Sequence, residues 1–167
     1  MKKRIFAAIL ALAMTLSLAA CGSKGTPTTG GSTTAAPDDG TQGVTDTEIK
    51  IGNSAAVSGA YAPVGVPFLA GIQAYLDMVN DGGGIDGRKI TFIHYDDEFD
   101  PVKGKSYLQQ LVEDDKVFAI VGHFGTPVVS ATIDDLKSYG IPSVYFAIGI
   151  GQLYSEKATS DAEGYNI

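Results

Sequence analysis

The chain has 167 residues, 12 of them basic and 19 acidic, for a net charge of −7. That length bounds it to about one domain. Setting aside Lys2, Lys3 and Arg4 at the start leaves 9 basic residues against 19 acidic ones, so the body lacks the basic footprint that nucleic-acid binding requires. Cys21 is the sole cysteine, which excludes an internal disulfide.

Met1-Lys-Lys-Arg4 followed by the apolar run from Ile5 to about Leu16 has the build of a signal peptide, and the run is too short to span a bilayer comfortably. Leu18-Ala-Ala-Cys21 then resembles a bacterial lipobox. The resemblance implies that residues 1–20 are a leader removed before Cys21, and that acyl chains are attached to the new N-terminal residue. An ordinary secretory peptide that happens to end near a cysteine is the alternative. Several acyl chains, each worth about 0.8 kcal/mol per buried CH₂, would hold the chain at a membrane where one would not. Residues 21–44 are rich in Gly, Ser, Thr, Pro and Ala, cannot bury enough apolar surface to offset their ordering entropy, and read as a flexible tether.

Residues 45–167 carry the folded part. A strand is predicted at about Glu48–Asn53, followed by a polar loop, Ser58–Pro63. A helix starts near Pro67 and shows Phe68, Leu69, Ile72, Leu76 and Val79 on one face; Asn80-Asp81-Gly82 ends it, with Gly82 or Gly83 in a left-handed conformation. Gly87 turns the chain into a second strand, Ile90–Tyr95. Asp100-Pro101 reads as an N-cap and first helical residue. The helix that follows runs to about Asp114 with Tyr107, Leu108, Leu111 and Val112 inward, and Gly104 is expected to weaken it by roughly 1 kcal/mol relative to Ala. Val117–Val121 is a short apolar run suited to a strand covered on both faces. Pro127–Tyr139 is a third helix, Ile141–Phe146 a fourth strand, Ala147–Gly151 a loop, and Gln152–Ala158 a helical turn.

The β-α-β-α-β-α-β order predicts an α/β fold with a doubly wound parallel sheet. Ligands of such sheets sit beyond the carboxyl ends of the strands, where strand order reverses. The loops at that edge are Ser54–Pro63, Asp96–Phe99, Gly122–Thr126 and Ala147–Gly151. Ser58 and Tyr61 offer a hydroxyl and a ring. Thr126 precedes Pro127 at a helix start, where a hydroxyl and amides suit a carboxylate, although a plain N-cap explains it equally well. Ala147 and Gly149 offer backbone. His123 is a general base, a ligand contact or a strand-end histidine, and no Ser, Asp or Cys beside it forms a triad; His94 reads as packed in its strand. Asp96, Asp97, Glu98 and Asp100 lack calcium-loop spacing, so no metal is expected, and without a phosphate loop after the first strand no nucleotide or other cofactor is expected either. These features do not describe an enzyme.

Several segments occur in one unbroken order: Glu48-Ile-Lys-Ile-Gly52, Ser58-Gly59, Gly71, Asn80 to Arg88, Asp96-Asp97, Asp100-Pro101, Leu111 to Asp115, Val121-Gly122 and Gly140-Ile-Pro142. Together they resemble the N-terminal lobe of branched-chain amino-acid ABC-transporter substrate-binding proteins, the leucine/isoleucine/valine-binding type within the type 1 periplasmic binding proteins. The resemblance implies a two-lobed clamshell that binds a small polar ligand and delivers it to a membrane permease. It places ligand contacts at Tyr61 and Val64, a hydroxyl for the ligand carboxylate at Thr126, and contacts at Ala147 and Gly149. Gly149 lacks the hydroxyl and Val64 the aromatic ring that some members carry. Gly125-Thr126-Pro127 looks more like relatives that take amides or aromatic acids. Where some members join two loops by a disulfide, this chain has Phe99 and Gly125. The family's chains also continue into a second lobe, so residues 45–167 read as a fragment of a clamshell. The resemblance thus implies a lipid-anchored solute-binding protein on the outer face of the cell membrane, with an amino acid, amide or aromatic acid as ligand. A ligand-sensing receptor of the amide type and a non-functional single lobe are the other readings.

Overall fold

The structure, a computed structural model, describes residues 40–154. The predicted leader, Cys21, most of the tether and the residues after Tyr154 lie outside the described residues. Strand β1 (Glu48–Ser54) leads through a short 3₁₀ turn, Gly59–Tyr61, into helix α1 (Ala62–Asp81). Strand β2 (Lys89–Tyr95), helix α2 (Pro101–Glu113), strand β3 (Ala119–Val121), helix α3 (Thr126–Tyr139) and strand β4 (Ser143–Val144) follow, and a 3₁₀ turn occupies Gly151–Tyr154. The four strands form one parallel sheet in the order β2-β1-β3-β4. The doubly wound α/β reading is correct.

β1 lies at the centre, paired with β2 from Glu48↔Lys89 to Ser54↔Tyr95 and with β3 at Ile51↔Ala119. Its residues become buried toward the carboxyl end, from Ile51 onward. Alternation along β3 sends neighbouring residues to opposite sides of the sheet. Ile120 joins Leu108, Leu111, Val112, Val117, Leu136 and Ile141 in the main core, under α2 and α3. Ala119 and Val121 join Ile51, Ile72, Leu76, Ile90 and Phe92 beside α1. Two helices cover the first face and one covers the second. Phe118, Val144 and Tyr145 are therefore exposed next to α1, along a groove also lined by Phe68, Ile72 and Val121.

The boundaries correct several expectations. α1 starts at Ala62, so Pro63 is the early proline and Pro67 sits inside the helix, where it lacks the N–H that would reach back to the Pro63 carbonyl. Of the two candidate glycines at its end, Gly83 takes the positive φ, 109°, and Gly82 stays near helical geometry. Asp86-Gly87 forms a two-residue turn closed by paired Ile85 and Arg88 backbone bonds. β3 is shorter than predicted because the Val117 amide turns back to the Leu111 carbonyl at 3.0 Å. β4 shrinks to two residues because Pro142 cannot donate and Tyr145 adopts a φ of 58°. The folded region starts earlier than residue 45. Gln42 donates to the carbonyls of Val112 and Val117 at 3.3 and 3.0 Å, and the Lys50 amide donates to Gly43 at 2.8 Å.

The Asp100 cap is as expected, its carboxylate accepting from the Val102 and Lys103 amides at 2.7 and 3.3 Å. Gly104 has a packing reason that propensity does not reveal. It is buried against α3, and a Cβ there would lie 2.4 Å from Val128 Cγ1. Gly104→Ala should therefore lower stability by about 1–3 kcal/mol in urea unfolding, where helix propensity alone predicts a gain of about 1 kcal/mol.

Candidate functional site

Strand order reverses across β1, with β2 on one side and β3 on the other, so the loops after β1 and β3 part at their carboxyl ends and leave a crevice. Asn53, fully buried in β1, ties the strand ends together beneath that crevice. Its Nδ2 donates to the Gly122 carbonyl at 2.9 Å, and its Oδ1 lies 2.9 Å from His94 Nδ1. Because that oxygen can only accept, His94 carries its proton on Nδ1. One side chain thus links the ends of β1, β2 and β3.

The loop after β2 grips the loop after β1. Asp96 Oδ1 accepts from the amides of Val57 and Glu98, each at 3.0 Å. Partial burial pushes its carboxyl up, but hydrogen bonds from the Ser58 hydroxyl and from the Val57, Glu98 and Ser58 amides outweigh that and hold it below the usual range. Asp97 is fully buried; burial pushes its carboxyl up, against the pull of the Phe99 amide at 2.9 Å. Ser58 is half-buried at the start of the 3₁₀ turn. Tyr61 leaves that turn and stacks on Phe99, ring centroids 3.5 Å apart and 14° from parallel. Val64 points outward from α1 and is 56% exposed.

Phe99 rests on bare backbone. Gly125 has a φ of 96°, and a Cβ there would lie 2.8 Å from the Phe99 ring. These are the two positions singled out above for a disulfide in some relatives; here a ring against a glycine fills the same space. Gly125, not Thr126, is the N-cap of α3, and Thr126 is the first helical residue with an exposed side chain. The expected Thr126 cap is thereby corrected: no side chain caps this helix. The first N–H groups of a helix have no partner within it, and Pro127 has none to offer, so few donors remain at this end. On the far side, Ala147 pairs with Phe124 and donates to the His123 carbonyl at 3.1 Å, which brings the Ala147–Gly149 segment alongside the Gly122–Thr126 loop. Ala147 is half-buried and Gly149 is exposed.

His123 lies beneath the crevice instead of in it. It is 1% exposed, and its Nε2 sits 2.9 Å from Thr132 Oγ1. That hydroxyl also donates to the Val128 carbonyl at 2.9 Å, so the contact braces α3 against the end of β3. Burial lowers its pKa to about 4. Among the described residues, no group of three or more His, Cys, Asp or Glu is placed to hold a metal ion. The sequence reading gave Asn53 no role beyond the end of its strand, and gave Phe99 none beyond the disulfide position of some relatives. Neither residue stands out locally, because β1 also carries Glu48, Lys50 and Ser54 and a phenylalanine in a loop has no pattern to mark it.

The His123 value fixes a pH dependence. An unfolded histidine ionises near 6.5 and the folded one near 4, so between these values the unfolded chain binds the extra proton. The His123 contribution is complete above pH 6.5 and is lost as pH falls toward 4, at a slope of up to about 1 kcal/mol per pH unit. Urea unfolding at pH 6.5 and pH 5 should show a shallower slope in His123→Gln than in the parent; equal slopes would contradict the assignment.

The profile of the Periplasmic binding protein family matches residues 48–165. The chain is 31% identical over 99 residues to the Leu/Ile/Val-binding protein homolog 2 of Brucella abortus, covering 59% of this chain and 26% of that one. Among solved structures it is similar to a fatty acid ABC transporter substrate-binding protein from Thermomonospora curvata, with a TM-score of 0.56 and 34% identity over 61% of this chain and 26% of that one. It is also similar to the branched-chain amino acid transporter substrate-binding protein LivJ from Streptococcus pneumoniae in complex with isoleucine, with a TM-score of 0.55 and 31% identity over 58% of this chain and 28% of that one. The matched region spans about a quarter of the length of these relatives. With the parallel sheet and its crevice at the strand reversal, the match to residues 48–165 shows that the chain belongs to the periplasmic binding protein family.

Proposed function

We propose that this chain supplies the ligand-contacting first lobe of an extracytoplasmic solute receptor. The receptor is lipid-anchored through Cys21 and serves an ABC importer of amino acids or related small polar molecules. The observation that carries this reading is the exposed Thr126 at the uncapped start of α3, on the crevice at the strand reversal. Its hydroxyl is not used to cap its own helix, and the helix end favours an anion. Ser58 and Tyr61 would meet the ligand from the loop after β1, Val64 from the first turn of α1, and Ala147 and Gly149 from the loop after β4. His123 acts through Thr132 and α3 as a positioning residue. The surface made of backbone, hydroxyl and ring suits binding and release. The names of the relatives, which include Leu/Ile/Val-binding and branched-chain amino acid transporter proteins, support this class of ligand.

The test is made in the source organism with two variants. Cys21→Ser should move the protein from the membrane to the soluble fraction. Thr126→Val should leave it at the membrane and folded but lower uptake of the cognate solute by about tenfold or more, the loss expected for one hydrogen bond to a charged group. Membrane retention of Cys21→Ser would overturn the anchor, and unchanged uptake in Thr126→Val would overturn the ligand site.

A further inference from the structure

The chain enters the folded domain through a clamp on the amino edge of the sheet. Gln42 donates to the carbonyls of Val112, in the last turn of α2, and Val117, just before β3. The Gly43 carbonyl accepts from the Lys50 amide at 2.8 Å, and Val44 pairs with Ile49 at the start of β1. Gly43 has a φ of 74°, and a Cβ there would collide with the backbone of Lys116 and Phe118. Only a glycine lets the chain pass so close to the next strand.

Helix α3 measures the distance from this clamp to the crevice. Its first residue, Thr126, stands at the crevice, and its last, Tyr139, borders the same cleft as Thr41 and Gln42. Its 14 residues, each rising about 1.5 Å, separate the two edges by about 20 Å. The clamp therefore fixes where the chain leaves the lobe, at the edge opposite the crevice.

We infer that the clamp at Gln42–Val44 hangs the lobe by the edge opposite its crevice, so that the tether must span the depth of the lobe before the crevice can face a membrane permease. The inference rests on the lipid-anchored receptor reading above. A solute passed to a permease leaves from the crevice, which must face the membrane at that moment. On the tether reading, 19 residues lie between Cys21 and Thr41. A Gly/Ser-rich chain of that length has a root-mean-square span of roughly 24 Å. That span is close to the depth of the lobe, the condition under which a tether gives its highest effective concentration.

Shortening the tether tests this. Deletion of residues 24–39 leaves Gly22, Ser23 and Gly40 between Cys21 and Thr41, a reach of about 14 Å at most. In the source organism the shortened protein should stay in the membrane fraction. Its uptake of leucine, phenylalanine and their amides should fall to about a tenth of the parent rate or less, because the tether cannot span the two sites. After solubilisation in detergent it should bind these solutes as the parent does in equilibrium dialysis. Refilling the gap with an equal number of Gly and Ser residues should restore uptake. A second readout uses vesicles that carry a nitroxide-labelled lipid. A fluorophore at Asp114→Cys marks the amino edge, and one at Glu98→Cys marks the carboxyl edge; both positions are exposed. In the full-length chain both labels should be quenched, and in the shortened chain only the label at Asp114→Cys. Parental uptake by the shortened chain would overturn the inference and leave the receptor reading standing. So would unchanged quenching at Glu98→Cys, or a refilled tether that fails to restore uptake. A parent that neither takes up nor binds any of these solutes would overturn the receptor reading, and the quenching would still decide the geometry of the clamp.

Discussion

The carboxyl edge of this sheet depends on the buried side chain of Asn53. A strand centre normally takes an apolar residue, and an amide there must satisfy its donor and its acceptor or lose stability. Asn53 does both, toward the Gly122 carbonyl and toward His94. The first ties β1 to the loop after β3, and the second ties it to β2 and fixes the tautomer of His94. Asp96 then ties the loop after β2 to the amide of Val57, and Ala147 ties the loop after β4 to His123. Four loops that would otherwise vary independently are held to one frame.

What this frame supports follows from the groups left facing outward. Buried titratable groups are absorbed into structure: His123 braces α3 through Thr132, and Asp97 fastens its own loop at the Phe99 amide. A threonine, a serine, glycines and aromatic rings stand at the crevice, and Glu98 of the loop after β2 is exposed at the same edge. The periplasmic binding protein family uses its fold for solute binding, and the local chemistry agrees with that use.

Much of the architecture was legible in the sequence. Among the described residues, period-3.6 and short apolar runs identified each strand and α-helix, and Asp100-Pro101 marked a helix start that the structure reproduces in hydrogen-bond detail. The errors share a physical origin in contacts between distant segments. Gly104 looked like a weak point in a helix until α3 was packed against it at Val128. Thr126 looked like a cap, but Gly125, pressed against Phe99, takes the cap position and moves the helix start by one residue. β4 looked six residues long because apolar composition does not reveal the reversal of φ at Tyr145. The end of the Gly/Ser/Thr-rich segment looked unable to fold, yet Gln42 finds two carbonyls of the domain. For the site, the loops could be named from topology alone. Which of their residues touch required the register between strands.

The proposed ligand site lies at the carboxyl edge and not along the apolar groove beside α1. The most direct measurement is a backbone amide shift map of the ¹⁵N-labelled protein titrated with leucine, phenylalanine and their amides. The largest shifts should fall on Ser58–Tyr61, Gly122–Thr126 and Ala147–Gly149. Shifts centred instead on Ile72, Val121 and Val144 would contradict it.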